Sequence, residues 1–284
     1  MPELPRPART GPSPRPGRLG PRALVLLTAT TALIAVTAAG CASTAAPRPA
    51  AAAAVTPAAY ASLQGAFTDA IKEVLPSVVE IRTSSGLGSG VVFDSRGDIV
   101  TNAHVVGRAS RMQVIDSSSA EPLAATLVGV YRPDDLAVIR VTDAQRLRPA
   151  VFGNSAALVA GDIVLAIGNP LGLDSSVTEG IVSAVERTVS EPASDGSAGA
   201  TLADTIQTSA AINPGNSGGA LATLDGTVVG IPTLAAVRQA GGAAPGIGFA
   251  IPSNIAVDIA RQLVARASGA TVDVPVTPGE HPAG

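Results

Sequence analysis

The chain has 284 residues, of which 46% are hydrophobic and only 2% are aromatic, and it contains no tryptophan. A chain of this length can bury a sizeable core, which must be built from valine, isoleucine, leucine and alanine. The net charge is −3, and removing the five arginines and one glutamate that precede Gly40 would leave −7. An acidic chain with no basic run is not expected to bind nucleic acid.

The N-terminal residues 1–40 predict an export signal, because five arginines precede an uncharged apolar run that ends at Gly40. Small residues directly before Cys41 resemble the lipobox of bacterial lipoproteins, although Ala38 stands where leucine is usual. That resemblance implies that Cys41 is lipidated at the outer face of the cytoplasmic membrane. An uncleaved membrane anchor and ordinary secretion are the alternatives, and both also predict an exported domain.

Cysteine and histidine are too scarce for an internal disulfide or an ordinary zinc site. Cys41 is the only cysteine, so no internal disulfide can form. Two histidines and one cysteine are too few for an ordinary zinc site. We therefore expect no metal and no cofactor.

The first part of the exported chain is predicted to be a tether followed by a helix. Residues 41–62 are rich in alanine and proline and cannot bury a core, so they predict a tether. The pattern from Phe67 to Leu75 predicts a short amphipathic helix that Pro76 ends.

The region that follows is predicted to be all-β. About ten short β-branched runs alternate there with glycine, aspartate, asparagine and proline, as in a sandwich or barrels. Ser253 is predicted to cap a C-terminal helix that Gly269 closes. Residues 271–284 are rich in proline and glycine and predict a flexible tail.

The segment "INPGNSGGAL" places Ser217 among glycines, which expose a serine hydroxyl on a sharp turn. The letters also match G-x-S-x-G, the nucleophile elbow of α/β hydrolases, which needs a helix after the serine and a histidine later in the chain. A predicted hairpin follows instead, and the only later histidine is His281, in the tail. The elbow interpretation is therefore rejected.

The remaining order is histidine, aspartate and serine, as in chymotrypsin-like proteases. His104 follows a predicted strand, and Asp134 and Asp135 begin another. Such a histidine can take the serine proton, while a buried carboxylate orients the imidazole. Gly215, Asn216 and Ser217 form the candidate oxyanion hole, with the backbone N–H groups of Gly215 and Ser217 as its donors.

Five segments together resemble the protease domain of the HtrA (Deg-type) serine proteases. In chain order they read "VTNAHVV", "DLAVIRV", "AIGNPLGLDSSVTEGIVSAVER", "IQTSAAINPGNSGGAL" and "GIGFAIPSN". The resemblance implies that His104 is the general base, Asp135 the orienting acid and Ser217 the nucleophile. Asp134 is the alternative acid, but it lies outside the matched "DLAV".

The family fold implied by this resemblance is two perpendicular six-stranded antiparallel β-barrels with a short N-terminal and a C-terminal helix. The protease domain is expected over 63–270, with barrels over about 75–147 and 148–253. Family members commonly carry PDZ domains after the protease. Only about 30 residues follow Asn254, so a member without a PDZ domain is expected.

The resemblance also implies unfolded or extended polypeptides as substrates. The candidate specificity pocket comprises Ala211, Ile212, Thr233 and Gly248, which are uncharged and predict cleavage after small or medium aliphatic residues. A homotrimer is possible, with Tyr60 and Phe67 as the aromatic candidates for its contacts.

Two further functions stay open. One is a latent or chaperone-like peptide-binding module, because the segment 191–204 resembles a family loop that switches between ordered and disordered states. The other is a dedicated processing protease with a single partner.

Overall fold

The computed structural model describes residues 57–84, 86–119, 121–169, 176–190, 201–213, 215–237 and 243–269. All of them lie in one compact unit, Ala54–Gly284. The predicted export signal, Cys41 and the tail 271–284 lie outside the described residues. Within the described part, no helix is both long and apolar enough to cross a bilayer.

The first barrel contains six antiparallel strands in the order β1-β2-β3-β6-β5-β4, and β4 pairs back with β1 to close it. Valine and isoleucine dominate these strands because their branched side chains suit a pleated surface. Their bounds are β1 Val78–Arg82, β2 Leu87–Val92, β3 Asp98–Asn102, β4 Arg111–Ile115, β5 Leu123–Tyr131 and β6 Leu136–Val141.

The second barrel is closed in the same way, in the order β10-β11-β12-β9-β8-β7, with β10 paired to β7. Its bounds are β7 Ile163–Gly168, β8 Ser176–Ser190, β9 Thr201–Thr208, β10 Ala220–Thr223, β11 Val228–Val237 and β12 Ala243–Pro252. The predicted double barrel is therefore confirmed.

Two of these strands were not among the ten runs expected from the sequence. Strand β9 reads "TLADTIQT" and lacks a hydrophobic run, while β10 is only four residues long and follows glycines. Both strands form backbone hydrogen bonds with a neighbouring strand on each side. Such pairing cannot be predicted from the β-propensity of the strand's own residues. Because β9 begins at Thr201, the last residues of the expected loop 191–204 are strand; residues 191–200 lie outside the described residues.

In the described ranges, three α-helices accompany the barrels: α1 Pro57–Val74, α2 Ala103–Val106 and α3 Ser253–Ala267. Helix α1 begins ten residues before the predicted start at Phe67, since proline suits a first helical position and alanine favours the helix. The prediction that Ser253 caps α3 was wrong. Pro252 is the N-cap, and the buried Ser253 hydroxyl donates to Gly153 O at 2.7 Å.

Alternation along the strands separates three apolar clusters. In β6, Ala137 and Ile139 point into the first barrel, whereas Leu136 and Val138 point out of it towards a shared cluster. In β7, Val164 and Ala166 fill the second barrel in the same manner. The shared cluster joins residues of both barrels to α1 and α3, so outward faces are buried as well. This contact brings the two barrels together at the site described next.

Candidate active site

His104 is the second residue of α2, a short helix that begins directly after the last residue of β3. This helix begins where Ala103 N donates to Asp135 O at 2.9 Å, which ties β3 to the start of β6. The imidazole is two-fifths exposed, and its Nδ1 is 2.7 Å from Asp135 Oδ2. The backbone N–H of His104 donates to Asp135 Oδ1 at 2.9 Å. One carboxylate therefore orients both the ring and the backbone of His104.

Asp135 occupies a left-handed backbone conformation, with φ 51° and ψ 40°, between the 3-10 turn Arg132–Asp134 and β6. A residue with a side chain rarely adopts this conformation, and its cost must be offset by the surroundings. Asn102 Nδ2 donates to Asp135 O at 3.1 Å, and Thr233 Oγ1 donates to Asp135 Oδ2 at 2.6 Å. The buried carboxylate is held by three donors, two from His104 in the first barrel and one from Thr233 in the second.

Asp134, the alternative acid, faces a different group. Burial of this half-buried carboxyl raises its pKa, and the nearby negative charge of Asp204 in β9 raises it further. The hydrogen bonds of the imidazole and of the His104 backbone go to Asp135. The geometry thus favours Asp135 as the orienting acid.

Ser217 lies in a turn before β10 that needs glycine at two positions. Gly215 has φ 107° and Gly218 has φ 80°. A Cβ atom at Gly218 would lie 2.3 Å from Ser89 O and 2.4 Å from Thr101 Oγ1, so only glycine fits against the first barrel. A strand rather than a helix follows the serine, which agrees with rejection of the α/β-hydrolase elbow.

Thr233 joins the acid to the nucleophile. Its hydroxyl donates to Asp135, and its carbonyl accepts the Ser217 hydroxyl at 3.3 Å. The sequence predicted Thr233 as a pocket residue, but the side chain is buried and turned towards Asp135. No local pattern marks this role, because the bonded residues Thr233 and Asp135 are 98 positions apart.

The candidate oxyanion hole has two free donors in the described structure. No described group accepts the backbone N–H of Gly215 or of Ser217. Asn216 differs, since its N–H donates to Asn213 O at 3.0 Å and its buried side chain donates to Ala211 O at 3.2 Å. We therefore assign Asn216 to the support of the turn and keep the donor role for Gly215 and Ser217.

The candidate pocket residues fall into two groups. Ile212 is buried beside Gly248, where an added Cβ would lie 2.4 Å from Ile212 Cγ1. Ala211 is exposed, and its carbonyl accepts Thr178 Oγ1 at 2.8 Å. Ile212 and Gly248 thus form one apolar wall, while Ala211 supports the turn through its backbone. Among the described residues, no group of three metal-ligating side chains occurs.

Comparisons with known proteins agree with this geometry. The trypsin-like peptidase domain family matches residues 88–231, about half of the chain. The serine protease Do-like HtrA of Bacillus subtilis is 47% identical over 189 residues, which cover 65% of this chain and 40% of that protein. The periplasmic pH-dependent serine endoprotease DegQ of Escherichia coli is 41% identical over 180 residues, covering 63% and 37%.

A solved structure of the HtrA-type protease AlgW with a tripeptide has a TM-score of 0.61 and 36% identity, over 70% of this chain and 64% of that one. The chain spans about two fifths of the length of the curated relatives above. The double barrel, the order of the motifs and these matches lead to one conclusion. The chain belongs to the trypsin-like serine peptidases of HtrA type.

Proposed function

We propose that this protein is an exported serine endopeptidase that cuts unfolded or extended polypeptides through an acyl-enzyme. One observation carries the proposal: hydrogen bonds connect His104, Asp135, Thr233 and Ser217 across the two barrels. The order and chemistry of these groups match the requirements of serine acyl transfer.

In the proposed reaction, His104 takes the proton of Ser217 Oγ as the oxygen attacks the scissile carbonyl. A hydroxyl has a single hydrogen, so donation to Thr233 O and donation to His104 are alternative arrangements of Ser217. Asp135 holds the Nδ1–H tautomer and stabilises the imidazolium that forms. The imidazolium then protonates the leaving amine, and water releases the acyl group by the same route.

The negative charge of the tetrahedral intermediate is proposed to lie against the N–H groups of Gly215 and Ser217. Neither donor is committed to a described acceptor, so both are available to a developing oxyanion. Removal of one such donor in other serine proteases lowers kcat by about 10²–10³-fold.

The apolar wall of Ile212 and Gly248 supports cleavage after small or medium aliphatic residues. The Ile212 side chain fills the space beside Gly248, and neither residue brings a charged group to this wall. The peptide bound to AlgW supports an extended polypeptide as the substrate class. A library of peptides should be cut mainly after valine, alanine or leucine, and cleavage after lysine or arginine would contradict this pocket assignment.

The proposed location is the outer face of the cytoplasmic membrane, with a lipid on Cys41. The periplasmic relative DegQ supports export, and the apolar run before Cys41 supports membrane attachment. Mass spectrometry of the mature N terminus should find diacylated Cys41. An intact N terminus would indicate the uncleaved anchor, and an unmodified cleaved one would indicate secretion.

A homotrimer is proposed as the assembly, with Tyr60 as its aromatic contact. Tyr60 on α1 is 67% exposed, whereas Phe67 packs against the shared apolar cluster and is less available. Light scattering of the full-length chain and of Tyr60→Ala should show a trimer that the substitution weakens.

The decisive experiment compares the full-length chain with Ser217→Ala, both purified in mild detergent. The wild type should cut unfolded casein and react with a fluorophosphonate probe, and the variant should do neither. A wild type that binds casein without cutting or labelling would instead support the latent or chaperone-like alternative. Cutting of a single exported protein but not of casein would support a dedicated processing protease.

A further inference from the structure

Ser89 is a serine of the first barrel whose hydroxyl reaches the nucleophile turn of the second. It lies on β2 and is fully buried. Its Oγ donates to Gly215 O at 2.5 Å and accepts the backbone N–H of Asn169 at 2.8 Å. The hydroxyl therefore donates to one backbone group of the other barrel and accepts from a second, and both groups flank the site.

The backbone of Ser89 holds the same turn. Its N–H donates to Ser217 O at 3.0 Å, and its carbonyl accepts Thr101 Oγ1 at 2.6 Å. A Cβ atom on Gly218 would meet Ser89 O, which shows how closely the turn packs against β2. Ser89 thus contacts the turn on both sides of Asn216.

The hydroxyl acts on one peptide plane in particular. The carbonyl of Gly215 and the N–H of Asn216 belong to the same planar peptide unit. Ser89 Oγ holds the carbonyl end, and Asn213 O holds the N–H end at 3.0 Å. This peptide lies between the two candidate oxyanion donors, the N–H groups of Gly215 and Ser217. Its orientation therefore sets the direction of the donors on either side.

We propose that Ser89 is a positioning residue for the oxyanion hole, an inference that rests on the proposed peptidase function. Its hydroxyl holds the Gly215–Asn216 peptide in the orientation that aims both donors at the substrate carbonyl. Without it, the buried Gly215 carbonyl loses the hydrogen bond that Ser89 donates. Rotation of the peptide would then misdirect the donors while leaving His104 and Asp135 in place.

The test compares the full-length wild type with Ser89→Ala and with Ser253→Ala as a matched control. Ser253 is also fully buried, and its hydroxyl also donates to a glycine carbonyl, that of Gly153, at 2.7 Å. Each variant is assayed for kcat and KM on a peptide substrate, for inhibition by a peptidyl aldehyde, and for binding of the product peptide. Thermal unfolding is measured in parallel.

Ser89→Ala should lower kcat about 10- to 100-fold with little change in KM, because the lost contact acts in the transition state. Affinity for the aldehyde, whose adduct places an oxyanion in the hole, should fall by a similar factor. Affinity for the product peptide and the pH profile of kcat/KM should stay unchanged. Ser89→Cys, which keeps a weak donor on a slightly larger side chain, should give an intermediate kcat.

Two results would overturn the inference. If Ser89→Ala and Ser253→Ala lose equal stability and equal activity, with aldehyde and product affinity changed alike, Ser89 is only a structural anchor. If aldehyde affinity is unchanged while KM rises, Ser89 acts on substrate binding instead. A wild type that neither cuts peptide nor reacts with fluorophosphonate would overturn the proposed function itself, which separates the two failures.

Discussion

The proposed acid–base pair and the turn that carries the proposed nucleophile are built in different ways. His104 and Asp135 belong to one barrel and contact each other through two direct hydrogen bonds. Ser217 lies in a turn of the second barrel whose Gly218 packs against β2 and β3 of the first. Its conformation depends on groups from the other barrel, with Ser89 as the main one.

This difference predicts which part of the site is more sensitive to changes at the interface between the barrels. A pair formed within one barrel keeps its geometry when the barrels shift. The turn, in contrast, depends on hydrogen bonds across the interface between the barrels for the orientation of its peptide groups. Thr233 makes a contact in the opposite direction. It belongs to the second barrel, and its hydroxyl donates a hydrogen bond to Asp135 of the first. We therefore expect substitutions in the pair to affect chemistry with the fold intact, and substitutions at the turn to affect both.

The largest effect is expected at the acid of the pair. Asp135→Asn should lower kcat/KM about 10⁴-fold, because an amide cannot hold the required tautomer of His104. The protein should still unfold cooperatively. The matched variant Asp134→Asn should retain activity within about threefold, since the hydrogen bonds of His104 go to Asp135. Equal losses in the two variants would show that Asp135 alone does not orient His104.

A smaller effect on activity, with a cost in stability, is expected at the turn. Gly218→Ala places a Cβ 2.3 Å from Ser89 O in addition to the strain of a positive φ, so the turn must move. Activity should fall about 100-fold, comparable to loss of an oxyanion donor.

Gly161→Ala separates backbone strain from steric clash, because Gly161 has φ 105° but nothing lies within 4 Å of the added Cβ. It should cost about 1–2 kcal/mol of unfolding free energy from backbone strain and leave activity unchanged. Equal stability and activity in the two variants would show that the turn does not depend on its contact with the first barrel.

Loss of the hydrogen bond that Thr233 of the second barrel donates to Asp135 should lower activity less than the changes at Asp135 and Gly218. Thr233→Val removes the hydroxyl that donates to Asp135 while keeping the shape and the carbonyl. We expect kcat to fall about 10-fold, in line with loss of one hydrogen bond to a charged group, and Thr233→Ser to restore it. The control Thr205→Val removes another buried hydroxyl, which donates to Arg187 O at 2.7 Å, and should leave kcat unchanged.

The smallest effect is a pH dependence of stability at Asp134. Burial and the charge of Asp204 raise its pKa above the ordinary value of 3.8, so the folded state holds this proton more tightly than the unfolded chain. Stability is therefore lost as pH rises from below 3.8 through the raised pKa. Asp134→Asn should match the wild-type Tm near about pH 3 and exceed it at pH 7.

Asp204→Asn removes the repelling charge but leaves the burial of Asp134. It should therefore reproduce only the smaller part of this gain, since burial is the larger cause of the raised pKa. A Tm difference that does not change with pH in Asp134→Asn would contradict the assignment.

Much of the molecule was predictable from local pattern and composition. The β-branched runs with turn residues between them predicted an all-β fold, and the resemblance to the HtrA proteases implied the double barrel. His104 and Ser217 stood out because histidine is scarce and glycines surround the serine. Ten strands were predictable because each has its own hydrophobic run, which β9 and β10 lack.

The sequence by itself determined which residue types can carry the chemistry and the order in which they occur. The family resemblance already favoured Asp135 over Asp134 as the acid, and the tertiary structure adds the two hydrogen bonds that His104 donates to Asp135. Only the tertiary structure revealed Thr233 beside Asp135 and Ser89 beside Gly215, whose hydrogen bonds join residues 98 and 126 positions apart. Such contacts follow from how two closed barrels meet, and no local periodicity encodes the packing of one barrel on another.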